Sequence, residues 1–152
     1  MEITAEGIDG LKALAGADLG HTGWLEVTQD RVNLFAEATD DHQWIHVDVD
    51  KAADGPFGGT IAHGYLTLSL IIPLFTALLK INGVSMSVNY GLNKVRFPSP
   101  VRVGAKIRLH GAVGGVTDVK GDGVEMLIDF TVEIDGGDKP ACVAQAVLRH
   151  YT

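Results

Sequence analysis

Residues 61–79, IAHGYLTLSLIIPLFTALL, decide the fold. This is the longest apolar run in the chain. Wound at 3.6 residues per turn, Ile61, Leu66, Leu68, Leu70, Ile71, Ile72, Leu74, Phe75, Leu78 and Leu79 point in all directions. A helix that is apolar all round has to be buried on all sides, so the spacing predicts one long central helix with the rest of the chain folded around it. A membrane span is the poorer reading. The run barely reaches the roughly 17 residues a span needs, Pro73 interrupts it, and Thr67, Ser69 and Thr76 punctuate it.

Immediately before it lies a polar, loop-like segment, residues 39–60, TDDHQWIHVDVDKAADGPFGGT. Asp40, Asp41, His42, His46 and Asp48 therefore gather near the start of the buried helix, with His63 and Gly64 in its first turn. Upstream, Ile8 to Ala15 reads as a short amphipathic helix ended near Gly16, and Trp24 to Val27 as a brief strand. A helix then starts at Gln29, with Thr28 as N-cap, Asp30 favourable in the first turn and Val32, Phe35 and Ala36 on its buried stripe. It should fray at Thr39-Asp40-Asp41, where the dipole disfavours carboxylates. Lys51 to Ala53 can add one turn.

After the central run the period changes to two. Four extended segments follow from Val84 to Tyr151, alternating most clearly over Glu125–Ile134 and Val143–His150, with turn-like connections at Pro98-Ser99-Pro100, Lys120–Gly123 and Asp135–Asp138. One buried helix followed by an antiparallel meander predicts an α+β fold in which the sheet wraps the helix. A sheet curled over one helix leaves an open edge, so a homodimer is expected.

Composition bounds the function. At 152 residues the chain reads as a single domain, 1–152, and 46% hydrophobic with 20% charged residues fits a soluble protein. A net charge of -7 without a basic stripe argues against nucleic-acid binding. The lone Cys142 sits in an apolar strand, and no secretory signal opens the chain, which points to the cytoplasm.

Asp41 and His46 stand five residues apart, a spacing that lets both side chains converge where a helix turns into a loop. A carboxylate and an imidazole together can hold a water and take its proton. Spacing alone favours the blander reading, in which Asp41 caps local backbone and His46 lies on the surface. A metal site from Asp40, Asp41, His42, His46 and His63 lacks any HExxH or CxxC pattern, and none is expected. No nucleophile elbow, Walker or Rossmann pattern occurs either. At Ala62-His63-Gly64 the first helical N–H groups are unpaired, and Gly64 admits either a ligand oxygen or simply tight packing.

Residues 35–66, FAEATDDHQWIHVDVDKAADGPFGGTIAHGYL, resemble the hydratase motif of the MaoC-like dehydratase family, the R-specific enoyl-CoA hydratases of hot-dog fold. Residues 89–109, NYGLNKVRFPSPVRVGAKIRL, resemble its RFxxPVxxG strand, and the DDHQWIH form is similar to the nodulation-protein-N-like branch. The resemblance covers about Trp24 to Tyr151. It implies that Asp41 and His46 are catalytic, that Asp48 is the common acidic position, and that the Gly64 N–H binds the thioester oxygen. It further implies reversible addition of water to a trans-2-enoyl thioester of CoA or acyl-carrier protein, giving an (R)-3-hydroxyacyl product, with no cofactor. Gln43, Trp44, His63 and Tyr65 are expected on the substrate, and Lys94 and Arg96, with Arg102 and Lys106, on CoA phosphates. The sequence departs from the family pattern at three positions: Asp40 replaces the motif glycine, and Gln43-Trp44 replaces Asn-Pro. A hot-dog thioesterase and a non-catalytic acyl-thioester binding protein are the alternatives.

Overall fold

The computed structural model describes residues 2–152. Strand β1 (Ile3–Glu6) leads into helix α1 (Gly7–Lys12), then β2 (Asp18–His21), β3 (Leu25–Glu26) and α2 (Gln29–Thr39). Two short helices, α3 (Trp44–Val47) and α4 (Val49–Ala53), precede α5 (Gly64–Ser69) and α6 (Ile71–Leu78). Strands β4 (Leu79–Asn82), β5 (Met86–Arg96), β6 (Lys106–Val119), β7 (Gly123–Ile134) and β8 (Cys142–Tyr151) complete the chain.

The main sheet has the order β2-β6-β7-β8-β5, with β3 also paired to β6. All its pairings are antiparallel. It curls around α5 and α6: Phe75 meets Phe130 of β7 edge-on at 5.3 Å, and a Cβ on Gly111 of β6 would stand 3.5 Å from Leu78. The α+β architecture read from the sequence is the observed one, with a sheet wrapped around a central helical segment.

Three local expectations need correction. The segment 61–79 is not one helix. Ile61 forms an isolated bridge with Arg102, the Ala62 N–H bonds the Val101 carbonyl, and helical structure starts only at Gly64. It is jointed at Leu70 because Pro73 has no N–H to give the Ser69 carbonyl. Pro73 is tolerated in α6 because it falls in the first turn, where N–H groups lack intrahelical partners anyway. Leu79 has already left the helix for β4, which pairs in parallel with β1.

Burial on all sides also fails. Leu66, Leu70, Ile71, Leu74, Phe75 and Leu78 are buried, but Tyr65, Ser69, Pro73, Thr76 and Ala77 are exposed. The sheet covers one side of the segment only. Finally, the last four strands are not a simple meander. The first of them, β5, pairs with the last, β8, because residues 97–105 cross over to β6 instead of making a tight turn. This leaves β5 as an edge strand, exposed along nearly its whole length.

Candidate active site

Helix α2 begins as read: the Thr28 side chain accepts from the Arg31 N–H, and Val32 and Ala36 are fully buried. It ends at Thr39, and Asp40 takes a left-handed conformation, φ 60°. Asp40 stands in place of the motif glycine, and this positive φ is one that glycine adopts freely and aspartate is among the few other residues to tolerate. The reversal brings Asp41 into line with α3, a helical turn that the sequence reading missed and that carries His46.

His46 is buried, and Ile61 supplies its fixed partner: His46 Nδ1 lies 2.7 Å from the Ile61 carbonyl oxygen. A carbonyl only accepts, so Nδ1 bears the proton and the lone pair of the neutral ring sits on Nε2. The backbone of the same turn is held by Gln29, whose Nε2 donates to the His46 carbonyl at 2.8 Å while its Oε1 accepts from Thr60 Oγ1 at 2.7 Å. Burial pushes the His46 pKa below its usual value; the Ile61 bond and the Asp41 charge oppose this shift, while neighbouring His63 adds to it. The ring is thus kept neutral near pH 7, as a base must be.

Asp41, His46 and His63 converge, each offering a ligand atom within 4.8 Å of the others. That spacing suits a shared water, and a divalent ion could bridge it too. The His46 and His63 rings stack at 3.8 Å and 22°. In front of His46 opens a mainly apolar cavity of about 310 Å3, whose lining includes Phe57, Gly64, Thr67, Phe97 and Val101. Gly64 lies under the Phe97 ring: a Cβ there would come within 3.4 Å of it. The Leu66 and Thr67 N–H groups return to the His63 carbonyl, and Gly64, as first residue of α5, has an N–H with no intrahelical partner.

Of the other residues singled out from the sequence, His63 shares this centre and the rest lie around it. Trp44 packs over the turn at Gly55, with Lys51 Nζ 4.6 Å above its ring, and is not part of the cavity wall. Gln43 is exposed at the start of α3, and His63 is buried behind His46 at 3% exposure. Tyr65 is 72% exposed and meets Phe97 edge-on at 6.4 Å. Lys94 and Arg96 are exposed on β5, while Arg102 Nη2 is tied to the Gly58 carbonyl at 2.7 Å. Phe57, Phe97 and Gln29 were not singled out; Phe97 and Gln29 reach the site through contacts far apart in the chain, with Gly64 and with His46 and Thr60.

Comparison with known proteins gives the family of the chain. The MaoC-like domain profile matches residues 11–133. The 3-hydroxyacyl-thioester dehydratase Z of Mycobacterium tuberculosis (strain ATCC 25618 / H37Rv) is 49% identical over 147 residues, which is 97% of either chain. The chain belongs to the MaoC-like dehydratase family. It is accordingly an enzyme of the hydro-lyase class. Nodulation protein N of Rhizobium leguminosarum bv. viciae is 44% identical over 134 residues, 85% of this chain and 81% of that protein. R-hydratase PhaJ1 from Pseudomonas aeruginosa, in its unliganded form, superposes with a TM-score of 0.71 at 22% identity, covering 95% of this chain and 85% of that one. The hot-dog architecture of this family is therefore that of the present chain. Among the described residues no helix is long and apolar enough to cross a membrane.

Proposed function

We propose that this family member hydrates trans-2-enoyl thioesters reversibly to (R)-3-hydroxyacyl thioesters, with Asp41 and His46 as the dyad. The observation that carries the reading is the free Nε2 of a neutral, buried His46, set beside the Asp41 carboxylate at the mouth of an apolar cavity. The relatives' names support the reaction class.

The enoyl group enters the cavity with its thioester oxygen at the Gly64 N–H. His46 Nε2 takes a proton from the water held between it and Asp41 as the water oxygen bonds to C3. The C2–C3 π electrons move toward C2 and the thioester oxygen. A Gly64 N–H aimed at that oxygen stabilises the developing enolate, an effect typically worth about 3 kcal/mol in such sites. The imidazolium, stabilised by the Asp41 carboxylate, then returns the proton to C2, and dehydration is the reverse. No metal enters these steps.

A homodimer belongs to the same proposal. Strand β5 presents an unpaired edge, and Tyr65, Met86, Tyr90, Leu92 and Phe97 lie exposed on or beside it. Pairing with a second copy covers that edge and the open side of α5 and α6. The CoA or acyl-carrier-protein phosphates then fall to the exposed Lys94 and Arg96.

Incubation with crotonyl-CoA tests the reaction. Enoyl absorbance should fall without release of free thiol, and the product should be the R isomer. Thiol release at the same rate would make the protein a thioesterase, and inertness toward short, medium and long enoyl thioesters would leave it a binding protein.

A further inference from the structure

The reaction as proposed gives Asp41 and His46 their tasks and leaves His63 without one, although His63 touches both. Its Nε2 lies 2.9 Å from the Asp41 main-chain carbonyl oxygen, 22 residues away in sequence. That oxygen only accepts, so Nε2 carries the proton and Nδ1 is left as a bare acceptor. Nδ1 is buried and has no hydrogen-bond partner. In the neutral ring the proton therefore sits on Nε2.

Its faces are equally constrained. His46 stacks on it at 3.8 Å, and the Phe35 ring closes on it at 4.8 Å and 54°. His63 precedes α5 at the N-cap position, yet its side chain caps nothing. The Leu66 and Thr67 N–H groups use its carbonyl instead, which frees the ring to turn back toward Asp41. Asp41 needs such a fastening. It follows the left-handed Asp40 beyond the end of α2, is exposed, and otherwise holds only a 3.4 Å bond from the Gln43 N–H to its own Oδ1.

We propose that His63 is a positioning residue that holds both halves of the dyad in one frame, its Nε2–H pinning the Asp41 main chain and its ring face setting the plane of His46. The inference rests on the reading of Asp41 and His46 given above. It follows that the two contacts are separable by substitution. His63→Gln keeps an amide nitrogen where Nε2 stood and loses the stack. His63→Phe keeps the stack and loses the donor. His63→Asn puts its amide where Nδ1 stood and loses both.

The test uses the full chain, crotonyl-CoA kinetics, thermal unfolding and 15N NMR of the histidine rings. In the wild type, the neutral His63 ring should carry its proton on Nε2. Misplacing a reacting group by an ångström costs about a hundredfold, so His63→Phe and His63→Asn should each lose about that much in kcat with KM nearly unchanged. His63→Gln should stay within about tenfold of the wild type. A His63→Phe enzyme with wild-type kcat overturns the proposal, as do three variants whose kcat falls only in step with Tm, or a neutral His63 ring that carries its proton on Nδ1 instead of Nε2. Asp41→Asn run alongside separates the two levels. If it is inactive while the His63 variants are normal, only this inference fails; if it is fully active, the reading of the dyad itself fails.

Discussion

Gln29 offers a measurable handle on how the site is held. Its amide joins three elements: Nε2 donates to the His46 carbonyl at 2.8 Å and Oε1 accepts from Thr60 Oγ1 at 2.7 Å, while the third bond, to Asn33 Oδ1, is exposed. Replacing Gln29 by alanine removes two partly buried bonds, each contributing about 1 kcal/mol net. The exposed bond to Asn33 adds little. Thr60 is itself buried, so its stranded hydroxyl raises rather than lowers the cost. A loss of about 2 kcal/mol corresponds to roughly 4–8 °C in Tm for a chain of this size. Thermal unfolding at pH 7 and fixed protein concentration should show that drop. The kcat for the enoyl thioester should fall as well, because the turn carrying His46 is no longer tied to the start of α2. Gln29→Glu should do no better than alanine: it can still accept from Thr60, but it sets a carboxylate oxygen against the His46 carbonyl. A Gln29→Ala protein with unchanged Tm and unchanged kcat would refute the idea that this amide holds the site together.

Further expectations follow from the same geometry. Burial lowers the pKa of both His46 and His150, so each resists protonation more when folded than when unfolded, where the ordinary value is 6.5. Their contribution to stability is therefore complete above about pH 6.5 and is lost as the pH falls below it; Tm should drop between pH 7 and 5, and His150→Leu should reduce the slope. The acid limb of kcat/KM should lie below pH 6.5, since His46 stays neutral further into acid than a free imidazole, and a limb above pH 7 would contradict the environment described for it. Asp40→Gly relieves a left-handed aspartate and should raise stability by up to about 1 kcal/mol, with activity retained; a clear loss in chemical denaturation would mean that the Asp40 side chain matters for itself. Exhaustive dialysis against a chelator should leave turnover unchanged, whereas loss of activity restored by one divalent ion would assign the Asp41, His46 and His63 cluster to a metal.

The sequence made the fold legible where pattern is local. The Thr28 cap, the Val32 and Ala36 stripe and the alternation of the last two strands all depend on neighbours within a few residues, and all recur in the structure. It was less legible where the outcome is decided across the chain. Apolar residues from 61 to 79 gave no sign that Ile61 would bridge Arg102 or that Leu79 would pair with Ile3. Pro73 was visible, but whether a proline ends a helix or sits in the first turn of the next depends on the joint at Leu70. The same division holds at the site. Spacing alone favoured a blander reading of Asp41 and His46; the family motif singled them out, and the structure brings their side chains together. The tautomer of His46, which fixes which nitrogen is free, depends on a carbonyl 15 residues away. Trp44 shows the converse: its place in the motif suggested contact with substrate, yet Lys51 and the turn at Gly55 draw it away from the cavity.

The most direct measurement is hydration of crotonyl-CoA by Asp41→Asn, by His46→Gln and by the double variant, each compared with the wild type. Asp41→Asn keeps shape and removes the charge proposed to steady the imidazolium. His46→Gln keeps an amide near the free nitrogen and removes the proposed base. Each single change should lower kcat by about a hundredfold or more, the usual range for lost general acid–base help. The double variant should be little worse than either, because the dyad as proposed acts on one water as a unit. Near-normal turnover in either single variant, or losses that multiply in the double one, would contradict the dyad.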